Sequence, residues 1–181
     1  MESHRVLLTV IVLGAISMAL LFGRPSITGF VPTETYAQEI ELHISESQRF
    51  VLSAPTNEPL RLFSFALSGT VAGSGLANVY LSDGNIRRLV YSNRKKPGSA
   101  MEIITGMAVS ELNIEAGGRI DRIETLPAGY TTVGGAFANE CVETCVLDSS
   151  AFTGTVLYLD VIVEPGTTLH ISGIRFSAAG E

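Results

Sequence analysis

The chain has 181 residues, enough for one domain of ordinary size plus an appendage, so its two cysteines are not needed merely to rescue a small core. Setting aside Glu2, Arg5 and Arg24, residues 25–181 carry 17 acidic and 10 basic side chains, a net charge of −7 that excludes general nucleic-acid binding. A hydrophobic fraction of 46% is high for a soluble domain and points to one segment that biases the mean.

That segment is VLLTVIVLGAISMALLFG, residues 6–23, an uncharged run of 18 residues between Arg5 and Arg24. As a helix it spans roughly 27 Å, close to the ~30 Å hydrocarbon core of a bilayer. A cleaved signal peptide is the competing reading. Its one small-x-small site, Thr35-Tyr36-Ala37, lies far downstream for an ordinary signal, so residues 1–23 are expected to be an uncleaved transmembrane anchor. Residues 24–38, rich in Pro, Thr and Gly, read as a stalk, and residues 39–181 as the folded domain.

Residues 39–45 alternate polar and apolar with period two, as a strand with one wet face does. A short strand follows at residues 49–53, and residues 63–68 alternate again until Gly69, Gly73 and Gly75 interrupt them. Asp83-Gly84-Asn85 between residues 77–81 and 87–91 is a hairpin signal, since the second turn residue must tolerate positive φ. A three-residue loop sets Val79 opposite Leu89 and Ala77 opposite Tyr91. Residues 93–98 form a basic turn that reads as a solvated loop.

Three short strands are expected at residues 101–105, 111–115 and 119–124, with Gly117-Gly118 turning the chain between the last two. In residues 156–163, VLYLDVIV, alternation puts Leu157, Leu159, Val161 and Val163 on one face. Residues 164–167 turn the chain, and residues 168–177 run back. In this last strand the apolar face slips from Leu169 and Ile171 to Ile174 and Phe176, and a bulge at Ser172-Gly173 absorbs the extra residue. No stretch after residue 23 shows helical spacing over three turns. Short strands separated by turns, without intervening helices, predict an antiparallel β-sandwich behind one N-terminal transmembrane helix.

The apolar strand, the Pro-Gly-Thr turn and the closing Leu-x-Ile-x-x-Ile-x-Phe strand resemble the last hairpin of galactose-binding-like, carbohydrate-binding jelly-roll modules. The longer phrase Phe137-Ala138-Asn139-Glu140-Cys141-Val142-Glu143-Thr144-Cys145, followed by that hairpin, is similar to cysteine-paired β-sandwich modules of membrane-anchored archaeal surface proteins. The resemblance covers roughly residues 60–177. It implies a jelly-roll-like sandwich that serves as sugar binder, adhesin or spacer, and it carries over no ligand-binding residue.

Catalytic motifs are missing: there is no G-x-S-x-G, no H-E-x-x-H and no phosphate-cradling glycine loop before a helix. The expectation is therefore a non-enzyme without cofactor or bound metal. His43 and His170 fall on the polar faces of the first and last strands, and Asp83 and Asp148 belong to no calcium-ligand series. Cys141 and Cys145 read as a zinc half-site, a redox pair or a clasp, and the absence of partner ligands favours the clasp. An extended chain would hold their α-carbons about 13 Å apart, beyond the ~7 Å limit for a disulfide. A disulfide thus demands a turn at Val142-Glu143-Thr144, and its persistence demands an oxidising compartment. Tyr80 and Tyr158 point away from the neighbouring aliphatics and are the candidate ligand-binding rings, in a chain without tryptophan. The expected partners are the lipid bilayer through residues 6–23, and glycans or other envelope proteins for an extracytoplasmic domain. A carbohydrate-binding module and a subunit of an envelope filament or its anchoring complex are the alternative roles.

Overall fold

Eleven strands account for the regular structure of this computed structural model, which describes residues 33–54, 60–95, 112–148, 152 and 156–179. They are β1 (Thr33–Ile44), β2 (Gln48–Ser53), β3 (Leu62–Ala72), β4 (Ala77–Ser82), β5 (Arg87–Ser92), β6 (Arg94–Lys95), β7 (Asn113–Arg119), β8 (Thr131–Thr132), β9 (Gly135–Glu140), β10 (Val156–Val163) and β11 (Thr168–Ala179). Every pairing is antiparallel. Sheet 1 has the order β1-β11-β3-β9 and sheet 2 the order β5-β4-β10-β2-β7, with β6 and β8 as a short separate ribbon. No helix occurs among the described residues, as the missing 3.6-residue period predicts. The expected anchor at residues 6–23, the strand at residues 101–105 and the tip of the basic turn lie outside the described residues.

Alternation decides which side chains meet between the sheets. Ile44, Phe65, Leu67, Leu169, Ile171 and Phe176 of sheet 1 share one buried cluster with Phe50, Leu52, Leu81, Leu157, Leu159 and Val161 of sheet 2. The fold is therefore an all-β, sandwich-like pair of antiparallel sheets around one apolar core. The bulge expected in the last strand is present: the β11–β3 register shifts between Ile171 and Gly173, and Leu169, Ile171, Ile174 and Phe176 all stay buried.

Four local expectations are corrected. β1 begins at Thr33 rather than at residue 39, because Tyr36 pairs with Phe176 and their rings lie 5.1 Å apart, giving part of the supposed stalk a place in the sheet. β3 continues through Gly69 to Ala72. There the glycine serves close approach rather than a break, since a Cβ would sit 2.1 Å from the His170 carbonyl oxygen. In the β4–β5 hairpin Val79 pairs with Tyr91, not Leu89, because a bulge lies between Val79 and Tyr80 in the register and the loop has four residues, Asp83 to Ile86. The Asp83 carboxylate closes that loop by accepting from the Asn85 and Ile86 amides at 2.9 and 2.8 Å. Gly117-Gly118 does not turn the chain. It forms a bulge inside edge strand β7, with Gly118 at φ +114°, and residues 120–127 then leave the sheet instead of forming a strand.

Candidate functional site

The cysteine loop starts where β9 ends. Cys141 and Cys145 form a disulfide with their α-carbons 4.9 Å apart, so the chain turns between them as the spacing demands. The sheets on either side hold that turn. The Val142 and Glu143 amides donate to the Val90 and Leu89 carbonyls of β5 at 2.9 and 2.8 Å, and the Leu89 amide donates to the Glu143 carboxylate at 2.9 Å. Two residues on, Thr144 is fully buried against β3: its carbonyl accepts from the Phe65 amide at 2.8 Å and its hydroxyl donates to the Phe65 carbonyl at 2.5 Å. Leu147 continues along β3, its amide donating to the Phe63 carbonyl at 2.7 Å. The clasp thus ties the edge strand of sheet 2 to an inner strand of sheet 1.

The outer face of sheet 2 carries buried Asn78, Ser82 and Asp160 and the ion network around them. Strand register sets Arg49 of β2, Asp160 of β10 and Tyr80 of β4 in one cross-strand row. Arg49 donates twice to Asp160, at 2.6 and 2.9 Å, and this bidentate pairing holds its guanidinium above the ordinary range against the opposing effect of burial. After β7 the chain crosses this face as a strap over residues 120–124, held at its start by the Ile120 amide on the Ser47 carbonyl at 3.1 Å. The strap delivers Glu124, which accepts from the Tyr80 hydroxyl and the Asn78 amide, both at 2.6 Å, and from Arg87 at 3.3 Å. Burial alone would raise the Glu124 carboxyl, but the Tyr80 and Asn78 donors with the Arg87 and Arg122 charges hold it below its ordinary value. Burial and the bond to Glu124 push the Tyr80 hydroxyl up to about 12.

Tyr80 and Tyr158 share this face on neighbouring strands, Tyr80 opposite Asp160 and Tyr158 opposite Ser82. They do not form a bare platform. The Arg87 guanidinium carbon lies 3.5 Å from the Tyr80 ring centroid, and that of Arg49 lies 4.7 Å from the Tyr158 centroid. Arg87 Nε and Nη2 have no hydrogen-bond partner among the described residues, and Nε lies 4.0 Å from an Asp160 carboxylate oxygen. Sequence reasoning missed Arg49, Arg87, Glu124 and Asp160. Only Asp160 left a signal, as a lone charge in VLYLDVIV on the same alternation as Tyr158.

Two clefts border these elements. One of about 670 Å³ lies between the strap and the turns at Ser47 and Gly166, with Ile162 and Ile123 on its walls. The other, about 440 Å³, lies beside the clasp among Tyr91, Lys95, Tyr130, Phe137 and Glu140. Burial pushes the Glu140 carboxyl up there, partly offset by Lys95, and raises the Tyr91 hydroxyl whose ring stacks on Phe137 at 3.8 Å.

The two histidines of the domain, separate in the sequence, meet on the outer face of sheet 1. His43 pairs directly with His170 across β1 and β11, and their rings stack at 4.3 Å with planes 7° apart. Neither joins the cysteines, which are consumed by their own disulfide. Comparison with family models, curated proteins and solved structures finds no match to this chain.

Proposed function

We propose that the chain is a membrane-anchored, extracytoplasmic β-sandwich module with a binding or structural role at the cell envelope. The observation that carries this reading is the Cys141–Cys145 disulfide, because such bonds persist in oxidising compartments and are rare where glutathione keeps thiols reduced. The uncharged run at residues 6–23 supports the anchor by length and composition. Register bears on its cleavage: removal after Ala37 would strip residues 33–37 from β1 and with them the Tyr36 ring from Phe176.

Strand order supports the jelly-roll reading of the fold. With the two-residue strands β6 and β8 and the additional edge strand β7 set aside, the eight remaining strands, numbered in chain order, read 1-8-3-6 and 5-4-7-2, the double Greek-key arrangement of a jelly roll. Guanidinium groups lie over the rings of Tyr80 and Tyr158, so both are assigned to holding the outer-face ion network rather than to stacking on sugars. Binding then falls to the outer face of sheet 1 and to the clefts beside the strap and beside the cysteine clasp. Glycans and other envelope proteins are the partner classes, and the reading includes no catalytic step.

Alkylation of the full chain taken from its native membrane, followed by intact-mass measurement, tests the compartment. The expected result is no modified thiol before reduction and two after it. Two modified thiols without reductant would overturn both the disulfide and the outward orientation.

A further inference from the structure

We propose that Glu41, His43 and His170 form a surface site for a divalent late transition metal, with Cu²⁺ and Zn²⁺ as its ions. The three ligand atoms already lie within 4.8 Å of one another. His170 Nε2 is 2.7 Å from Glu41 Oε2, and His43 Nε2 is 3.9 Å from the same oxygen. A tetrahedral ion with bonds of ~2.0–2.1 Å needs donor separations of about 3.3 Å. These two separations lie on either side of that value and the third is within 4.8 Å. The site closes by side-chain rotations that also unstack the two parallel imidazoles and turn their lone pairs toward one ion.

Backbone geometry holds the donors in place. His43 and His170 are directly opposed in an antiparallel ladder, and their neighbours Ile44 and Leu169 form the next pair and are fully buried, which fixes the register beneath them. The β1–β11 register shifts between Glu39 and Leu42, so Glu41 sits in the irregular stretch. A bulge re-aims a side chain. Here it sends the Glu41 carboxylate across to the partner strand's histidine, nearer than to the histidine of its own strand.

Donor chemistry selects the ion. Two imidazole nitrogens and one carboxylate oxygen suit Cu²⁺ and Zn²⁺, whereas Ca²⁺ requires six to eight oxygens and Mg²⁺ a near-octahedral oxygen shell. The net charge of −6 favours cation approach. Side-chain exposures of 70% for His43 and 74% for Glu41 leave the ion open on its solvent side, so water or a donor from a second molecule fills the remaining coordination.

The test is calorimetric titration of the purified full chain with Cu²⁺ and with Zn²⁺, combined with electron paramagnetic resonance of the Cu²⁺ form. The chain has three histidines, so His4→Ala serves as the control. One ion per chain is expected, with two-nitrogen coupling in the Cu²⁺ spectrum. His43→Ala and His170→Ala should each weaken binding by at least roughly tenfold, His4→Ala should leave it unchanged, and Glu41→Gln should weaken it less while keeping both nitrogens. The wild-type spectrum decides the matter even where one alanine variant fails to fold. No binding below about 1 mM ion, a spectrum without two nitrogens, or affinity that survives both histidine variants would overturn the site.

Discussion

The two outer faces of the sandwich arise from the same alternating pattern but are finished differently. On sheet 2 a strap covers the polar row, and its charges are spent on one another: Asp160 takes Arg49, while Glu124 takes Tyr80, Asn78 and Arg87. On sheet 1 the corresponding row, Glu41, His43 and His170, is crossed by no such strap among the described residues and keeps donor atoms exposed. A polar outer face therefore has two fates. Covered, its ionic groups must satisfy one another, because an unpaired charge out of water is costly. Open, they can pair with one another and still keep solvent access, as Glu41 and His43 do.

The largest expected effect comes from breaking the covered face at Asp160→Ala. Its carboxylate is almost fully buried and accepts both Arg49 bonds. Because the Arg49 side chain is 38% exposed and regains part of the loss from water, chemical denaturation of the full chain should show a loss of about 2–3 kcal/mol. Replacing both cysteines by serine should cost about 2 kcal/mol by the loop-entropy argument, with little change in the sheets, since backbone bonds to Leu89, Val90 and Phe65 also hold the loop. Amide exchange should rise around residues 141–147 while β10 and β11 stay protected.

Glu124→Gln should cost about 1–2 kcal/mol and should also change the acid response. A carboxyl held below its ordinary 4.5 contributes stability that is present above that value and is lost as pH falls through the folded-state value. The wild type should lose that contribution on acidification and the Gln variant should not, as denaturation midpoints across the acid range will show. Glu140 carries the opposite sign: its raised folded-state value means stability declines as pH rises from 4.5 through that value, so Glu140→Gln should flatten that decline. The smallest effect belongs to the open face, where His43→Ala should change stability by no more than about 0.5 kcal/mol in metal-free buffer. A loss comparable to that of Asp160→Ala would erase the distinction between the faces.

Much of the covered architecture was legible along the chain. Residues 156–177 show their apolar face, turn and bulge because each is a local departure from period two. The middle segment was not legible. Gly117-Gly118 resembles a turn signal, yet pairing with β2 keeps the chain extended through it, since Arg49 pairs with Gly118 and Phe50 with Ala116. The hairpin register of β4 and β5 departs from simple alternation for a related reason: a bulge shifts the pairing, and Leu89, Val90 and Tyr91 are all buried. Alternation along β4 and β10 is enough to put Tyr80 and Tyr158 on the outer face, but the arginines above them arrive from β2 and β5.

By itself the sequence determined the all-β class, the inward faces of the terminal strands and the demand that the chain turn between Cys141 and Cys145. These follow from side-chain alternation and covalent reach, which act over a few residues. Only the tertiary structure decided that Glu41 meets His170, 129 positions away, that a strap brings Glu124 over β4, and that the cysteine loop joins the two sheets. Such meetings depend on register summed across strands, and a single bulge changes which side chains are neighbours.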